Sequence, residues 1–323
     1  MLLPVGAVLA GLVLLIWSAD RFVVGASVTA RGLGVSPLLI GLTIVGFGTS
    51  APEILVSAVA SFQGSAALAV GNAIGSNITN IGLVLGAAAL IAPMTVRSGI
   101  VRRELPALIL TMLFVLSLLL DGGLSAGDGV ALAAALALMM FWIIGIGLRE
   151  RRDLLSEEYD RGIGAGMSLG RGLSWVIAGL ALLLVSSRLL VWGAVNIAQA
   201  IGVSELVIGL TVVAIGTSLP ELAASVMSAV RKEYDIAIGN VIGSNMFNLL
   251  AVMGMPALIA PGILPTGVLS RDYPVMIAMT AALIGMAYGY RGRKGRINRA
   301  EGGALVGIYC VYLVALYRGG LSA

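Results

Sequence analysis

Two copies of one glutamate-containing motif lie inside apolar runs of this chain, at a constant offset of 168 residues. Residues 41–53 read GLTIVGFGTSAPE and residues 209–221 read GLTVVAIGTSLPE, with nine of thirteen positions identical. The same offset relates GNAIGSNITN at 71–80 to GNVIGSNMFN at 239–248, with seven of ten identical. A charged side chain in an apolar span costs several kcal/mol unless water, a partner or an ion compensates it. Glu53 and Glu221 are therefore predicted to be functional residues.

The rest of the chain is apolar enough to predict a polytopic membrane protein. Hydrophobic residues make up 59% of the sequence and charged residues 11%, and about 20 apolar helical residues cross a bilayer. We predict an all-α fold of ten transmembrane helices. Their expected spans are 2–30, 37–62, 67–92, 104–121, 126–148, 172–200, 204–230, 236–260, 272–290 and 300–318.

Basic residues are distributed unevenly among the predicted loops. The loops after the first, third, fifth, seventh and ninth helices hold sixteen of the 20 Lys and Arg residues, whereas the loops after the second, fourth, sixth and eighth hold only Arg271. Because cytoplasmic loops are rich in Lys and Arg, we predict a multi-pass protein of the cell inner (plasma) membrane with both termini outside. The net charge of +4 follows this topology and does not indicate nucleic-acid binding.

The two glutamates lie on the second and seventh predicted helices, which are five helices apart. Since an odd number of crossings reverses the direction of the chain, the two halves are predicted to be inverted five-helix repeats. The first repeat covers residues 1–160, including a charged cytoplasmic linker from about residue 149, and the second covers residues 161–323. Secondary transporters often have such repeats, with the substrate site where the halves meet.

A proline precedes each glutamate and is predicted to interrupt its helix. Pro52 lacks an N–H group, so it breaks the hydrogen-bond ladder and leaves backbone carbonyl groups near Gly48 free. Helical spacing places the backbone of Gly46, the hydroxyls of Thr49 or Ser50, and Glu53 on one face. The second copy repeats this arrangement with Ala214, Thr217, Ser218, Pro220 and Glu221.

The third and eighth helices add amides and hydroxyls to this set. The polar residues recur every four positions, as Asn72, Ser76 and Asn80 and again as Asn240, Ser244 and Asn248. Two carboxylates surrounded by neutral oxygens form the ligand set that hard cations such as Ca²⁺ prefer. The remaining repeated residues are typical of close helix packing or interhelical hydrogen bonds, namely Gly41, Gly71, Gly75, Gly209, Gly239, Gly243, Asn77 and Asn245.

Several other functions are disfavoured by the composition. The chain has no histidine and one cysteine, Cys310, which excludes imidazole-based metal sites and histidine triads. No aspartate lies beside either glutamate, so an intramembrane hydrolase is not indicated. We expect a transporter without a cofactor or a required protein partner. A channel with the same site, and an antiporter that exchanges Ca²⁺ for H⁺ through the same glutamates, remain open alternatives.

The motifs GTSAPE with GSNITN, and GTSLPE with GSNMFN, resemble the two alpha repeats of the sodium/calcium exchanger family. The resemblance covers nearly the whole chain. It implies ten helices in two inverted halves, a cluster of four sites for Na⁺ and Ca²⁺, and alternating access by sliding of the first and sixth helices.

The resemblance also implies a role for each matching residue. Glu53 and Glu221 would be the central Ca²⁺ ligands, beside Thr49 and Thr217. One Na⁺ site would be lined by Gly46, Ser50 and Ser244, a second by Ala214, Ser218 and Ser76, and the middle by Asn80 and Asn248. Some members, including those that also move K⁺, have aspartate at position 248. Asn248 therefore speaks against K⁺ co-transport in this chain.

Overall fold

The computed structural model describes residues 2–96, 100–150, 167–201, 214–288 and 295–320, which are mainly helical. The predicted span 204–230 is described only from Ala214, and most of the predicted linker at 149–162 lies outside the described residues. In chain order the principal helices are α1 (Leu2–Leu33), α2 (Pro37–Phe62), α3 (Ala66–Ile91), α4 (Leu105–Leu119), α5 (Ala126–Glu150), α6 (Leu169–Ala200), α7 (Leu219–Val230), α8 (Tyr234–Ile259), α9 (Tyr273–Ala287) and α10 (Arg299–Gly320).

Seven of the described helices, α1, α2, α3, α5, α6, α8 and α10, are long and apolar enough to cross a bilayer. The other three, α4, α7 and α9, have 15, 12 and 15 residues in regular α-helical geometry. A π-helical turn precedes both α4 and α9, at Ile100–Glu104 and Val268–Asp272. The chain is therefore a largely helical membrane protein with several apolar spans.

Helices α1 and α6 pack against each other in antiparallel directions through pairs of close contacts. A Cβ atom added to Gly11 would lie 2.9 Å from the backbone nitrogen of Leu190, and one added to Gly179 would lie 2.8 Å from the backbone nitrogen of Phe22. Gly11 and Gly179 differ by 168 in number, as do Phe22 and Leu190. The same contact is thus made twice, with the two halves exchanging roles.

Helix α8 lies at the centre of the protein, and its most apolar stretch is completely buried. It crosses the first part of α2 so closely that a Cβ atom on Gly243 would lie 2.4 Å from the carbonyl oxygen of Leu42. Gly41 and Gly239 meet backbone atoms in the same crossing, as the repeat predicts. A Cβ atom on Gly71 or Gly75 would contact none of the described atoms, so the predicted packing role is not seen for these two glycines. Gly209 lies outside the described residues.

Three of the helices that carry the repeated motifs contain π-helical turns. These turns cover Gly41–Val45 in α2, Asn80–Leu85 in α3 and Asn248–Val252 in α8. The turns in α3 and α8 begin at equivalent positions of the two repeats. Because a π turn changes the direction in which side chains point, it is often found at functional sites.

Two short antiparallel β-ribbons connect loops that are distant in sequence. Strands β1 (Met94–Thr95) and β4 (Arg296–Ile297) form one ribbon, and β2 (Gly123–Leu124) and β3 (Gly262–Ile263) form the other. They correct the strictly all-α prediction. The ribbons form because backbone N–H and C=O groups in neighbouring loops need hydrogen-bond partners, which two residues of each loop supply to each other.

Asp20, a charge within the first predicted span, pairs with Arg231 in the loop between α7 and α8. The carboxylate of Asp20 accepts a hydrogen bond from Nε of Arg231 at 2.6 Å. About two turns further along α1, the hydroxyl of Ser27 donates a hydrogen bond to the carboxylate of Glu233 at 2.6 Å. These two contacts attach α1 to the start of α8. Arg21 lies over the rings of Trp17 and Trp175, and Arg188 is exposed.

Mutation of Asp20 should weaken this attachment only modestly. The side chains of Arg231 and Asp20 are 28% and 24% exposed, so water screens their attraction, and we expect a coupling of about 0.2–1 kcal/mol. A double-mutant cycle with Asp20→Asn and Arg231→Gln, followed by thermal unfolding in detergent, measures it. The coupling should shrink at high salt, and its absence at low salt would contradict the ion pair.

Candidate functional site

Each repeated glutamate lies in the first turn of a new helical segment. Helix α2 is interrupted at Ser50, and the next segment, Ala51–Phe62, has Pro52 in its first turn. Helix α7 begins after Ser218 and has Pro220 in the same place. The interruptions predicted from the prolines are therefore present. They place Glu53 and Glu221 at helix N-termini, where the backbone dipoles favour negative charge.

Glu53 and Glu221 are buried together. Their side chains are 0% and 1% exposed, and they lie close enough for their charges to interact. Ser50 donates a hydrogen bond to Oε1 of Glu221 at 3.3 Å. Oε2 of Glu221 and both carboxylate oxygens of Glu53 have no hydrogen-bond partner among the described residues. Two buried carboxylates in this condition need a cation or protons to offset the cost of desolvation.

Two asparagines form hydrogen bonds to the backbone of the glutamates and hold it in place. Nδ2 of Asn72 donates to the carbonyl oxygen of Glu53 and to Oγ of Ser57, both at 3.0 Å. Nδ2 of Asn240 makes the equivalent bonds to the carbonyl oxygen of Glu221 at 3.3 Å and to Oγ of Ser225 at 2.8 Å.

These contacts change the interpretation of the asparagine stripes. The amide nitrogens of Asn72 and Asn240 fix the backbone of the glutamates, a role that the sequence pattern does not predict, and Oδ1 of Asn240 lies 3.0 Å from Oγ1 of Thr49. Ser57 and Ser225 were not among the predicted residues. A usable signal was present, because both serines lie four residues after the glutamates and share the offset of 168.

Three of the residues predicted to supply ligand oxygens to a cation meet where α2 crosses α8. Oγ1 of Thr49 lies 3.0 Å from each of two acceptors, the carbonyl oxygen of Val45 and Oδ1 of Asn240, and 3.3 Å from Oγ of Ser244. Oγ of Ser244 donates to the carbonyl oxygen of Gly46 at 3.3 Å. A Cβ atom on Gly46 would lie 3.0 Å from the backbone nitrogen of Ser244. Glycine at this position thus lets the two helices bring their oxygens together.

The symmetry-related set of residues lies beside a cavity. Ser76 and Thr217 line this cavity of about 380 Å³, together with Arg271, Asp272 and Tyr312. Ser218 is 2% exposed, and its hydroxyl has no hydrogen-bond partner in the described part of the chain. Ala214 begins the short helix Ala214–Thr217 ahead of α7. The two symmetry-related groups of predicted ligands therefore differ in how tightly they are enclosed.

Asn80 and Asn248, which the resemblance assigns to the middle of the site, occupy equivalent positions of α3 and α8. They begin the π turns of α3 and α8, and both are almost fully buried. Nδ2 of Asn80 donates to Oδ1 of Asn245 at 3.1 Å. Oδ1 of Asn80 and both polar atoms of Asn248 make no hydrogen bond with a described residue. The side-chain oxygens of Asn80 and Asn248 are thus available to a cation.

The arrangement can be compared with known proteins. Residues 3–145 and 171–318 match the sodium/calcium exchanger protein family. The chain belongs to this family. It is 41% identical over 320 residues to inner membrane protein YrbG of Escherichia coli, covering 98% of both chains. It is 34% identical over 356 aligned residues to the sodium/calcium exchanger MaX1 of Methanosarcina acetivorans, covering 96% of this chain and 97% of that protein.

A solved structure of the sodium-calcium exchanger NCX_Mj has the same overall arrangement. It superposes with a TM-score of 0.81 at 35% sequence identity, over 98% of this chain and 99% of that one. Family membership and this structural match identify the present family member as a cation/Ca²⁺ antiporter of a membrane. Transported cations need buried negative charge, and the buried carboxylates of Glu53 and Glu221 supply it.

Proposed function

We propose that this protein exchanges Na⁺ for Ca²⁺ across the cell inner membrane by alternating access. The observation that carries the proposal is the burial of Glu53 beside Glu221, with carboxylate oxygens that no described side chain satisfies. Each glutamate comes from a different half of the chain. One cation site between the halves would be reached from either side of the membrane when the halves change their relative position.

The ligand roles follow the chemistry of the surrounding oxygens. Ca²⁺ binds Glu53 and Glu221 together with Thr49 and Thr217, because a divalent ion gains most from both carboxylates. Na⁺ ions occupy positions on either side and in the middle, where neutral oxygens supplement the same carboxylates. The flanking donors are Gly46, Ser50 and Ser244 on one side and Ala214, Ser218 and Ser76 on the other, with Asn80 and Asn248 between them.

Shared ligands explain why the two ions would be exchanged. Two ionised glutamates carry a charge of −2, which one Ca²⁺ neutralises and three Na⁺ exceed by one. Because both ions need the same carboxylates, they compete, and competition is required for antiport. Exchange of three Na⁺ for one Ca²⁺ moves one net charge, so its driving force changes by about 2.3 kcal/mol per 100 mV.

The proposal includes ten membrane-spanning helices in two inverted halves. The exchange of roles in the α1–α6 contacts supports it, because Gly11 meets Leu190 as Gly179 meets Phe22. The β-ribbons support it as well. Ten crossings place the loops after α3 and α9 on one side and those after α4 and α8 on the other, and each ribbon joins two loops of the same side.

The distribution of basic residues orients this arrangement, with the β1–β4 ribbon in the cytoplasm and both termini outside. We further propose that the protein works without a cofactor or an obligatory protein partner and catalyses no covalent chemistry. The residues of the site are all supplied by this one chain.

Transport into proteoliposomes tests the function directly. Vesicles loaded with Na⁺ and diluted into Na⁺-free buffer should take up radioactive Ca²⁺, and replacing internal Na⁺ with K⁺ should stop the uptake. A potential that is positive inside should speed uptake, because each cycle would carry one net positive charge outward. An acidic interior without Na⁺ should drive no uptake. Uptake driven by the pH gradient alone would show that the same glutamates couple Ca²⁺ to H⁺ instead.

A further inference from the structure

Asn77 and Asn245 occupy equivalent positions of α3 and α8, yet they make different hydrogen bonds. Oδ1 of Asn245 accepts a bond from Nδ2 of Asn80 at 3.1 Å, across the contact between α3 and α8. Asn77 donates from Nδ2 to the carbonyl oxygen of Ala73 in its own helix at 2.8 Å. Both side chains are fully buried. The interhelical bond therefore exists in only one of its two symmetry-related forms among the described residues.

The mirror-image bond would run from Asn248 to Asn77, and the atoms it requires are all unused. Oδ1 of Asn77 and both polar atoms of Asn248 have no hydrogen-bond partner among the residues that the structure describes. Asn80 thus has a fixed amide group, whereas Asn248 has an amide group that is held by no described side chain. The two middle-site asparagines differ in how firmly they are oriented.

The bond from Asn80 to Asn245 also determines where the oxygen of Asn80 points. A side-chain amide has one nitrogen and one oxygen, so fixing Nδ2 on Asn245 directs Oδ1 to the other side. That oxygen is buried and has no partner among the described residues. The π turn that begins at Asn80 packs against α7, the helix that carries Glu221. A cation beside α7 would be attracted by Oδ1 and repelled by the amide hydrogens.

We propose that Asn245 is a positioning residue that sets the Na⁺ affinity of this exchanger by keeping Oδ1 of Asn80 turned toward the cation site. The inference rests on the function proposed above and adds a determinant of ion selectivity to it. Na⁺ depends on Asn245 more than Ca²⁺ does, because three monovalent ions must share two carboxylates and so need the neutral oxygens. One Ca²⁺ obtains most of its binding free energy from the carboxylates themselves.

A double-mutant cycle between positions 245 and 80 tests this role. The measured quantity is the Na⁺ concentration that displaces half of the bound radioactive Ca²⁺ from purified protein in detergent. Asn245→Leu, which keeps the side-chain volume but removes the acceptor, should raise this concentration roughly tenfold to a hundredfold, as loss of a residue that orients a ligand commonly does. Ca²⁺ affinity measured without Na⁺ should change less than about threefold.

The same substitution should have little effect once Asn80 is replaced by Asp. Both side-chain oxygens of Asp can bind a cation, so no orienting bond is needed, and Asn245→Leu should then change Na⁺ competition less than about threefold. An equal loss in both backgrounds would mean that Asn245 only packs the helices, and would overturn the proposal. Asn245→Ala replaces the Leu variant if the latter does not elute as a single species in size-exclusion chromatography.

Asn77→Leu is the matched control, because Asn77 is equally buried and its side chain bonds, among the described residues, only to its own helix. Its effect should be the same with Asn or Asp at position 80. Coupling of Asn77 to position 80 as strong as that of Asn245 would contradict the proposal. Wild-type protein that binds Ca²⁺ without competition from Na⁺ would instead refute the proposed exchange, and this inference with it. Unchanged Na⁺ competition in Asn245→Leu would refute the inference alone.

Discussion

Glu53→Gln and Glu221→Gln should each abolish Ca²⁺ transport. Glutamine keeps the size of the side chain but removes one of the two negative charges that face each other in the buried site. Bound Ca²⁺ then loses one of its two buried carboxylate partners. Loss of one partner from a buried pair of opposite charges costs about 3–5 kcal/mol, which corresponds to a loss of Ca²⁺ affinity of about a hundredfold or more. Ca²⁺ uptake into Na⁺-loaded proteoliposomes and Ca²⁺ binding in detergent measure the two effects.

Glu301→Gln is the control for this pair of substitutions. Glu301 lies in the first turn of α10, where its carboxylate accepts a hydrogen bond from the backbone nitrogen of Asn298 at 2.7 Å. A glutamine can accept the same bond, so this variant should transport Ca²⁺ at the wild-type rate. Wild-type uptake by either Glu53→Gln or Glu221→Gln would refute a site shared by both carboxylates.

Gly243→Ala should destabilise the protein and stop transport. The added Cβ atom would lie 2.4 Å from the carbonyl oxygen of Leu42, a distance that real Cβ atoms do not reach. Because the opposing atom belongs to the backbone of α2, relief requires the two helices to separate. Overpacking of this kind costs about 1–3 kcal/mol. The separation would also pull Ser244 away from Thr49, whose hydroxyls are 3.3 Å apart.

Thermal unfolding in detergent and Ca²⁺ uptake test this prediction together. Gly285→Ala in α9 is the matched control, because an added Cβ atom there would meet no described atom within 4 Å. Alanine favours a helix over glycine by up to about 1 kcal/mol, so this variant should be as stable as the wild type or slightly more so. A Gly243→Ala protein with normal stability and uptake would contradict the close crossing of α2 and α8.

The helices could be predicted largely from hydropathy and from the repeat. The expected span at 37–62 agrees with α2, and the interruption before Glu53 follows from Pro52, which cannot donate a backbone hydrogen bond. The residue at which helical structure begins before α4 was harder to predict from the sequence. Its π-helical turn at Ile100–Glu104 contains charged residues that a hydropathy reading assigns to a loop. The β-ribbons were also missed, because two paired residues leave no periodic pattern.

The residues of the candidate site could be named from the sequence, but the difference between its symmetry-related positions could not. The repeat identifies Thr49, Ser244 and both glutamates without any coordinates, since buried polar residues at a constant offset have few structural explanations. It also treats the two halves as equal. Tertiary packing makes them different, because Ser244 packs against Gly46 whereas its counterpart Ser76 lines a cavity. The repeat likewise cannot distinguish the roles of Asn77 and Asn245.

The central position of α8 imposes an order of assembly during synthesis. Thr49 and its partner Ser244 are 195 residues apart, so α2 emerges from the ribosome long before the helix that brings Ser244 to it. Until α8 arrives, the half-made protein must keep Glu53 in contact with water, with the translocation machinery or with a proton. Insertion of α8, whose most apolar stretch is completely buried, therefore brings Ser244 to the candidate site and fills the centre of the core, against which α9 and α10 then pack.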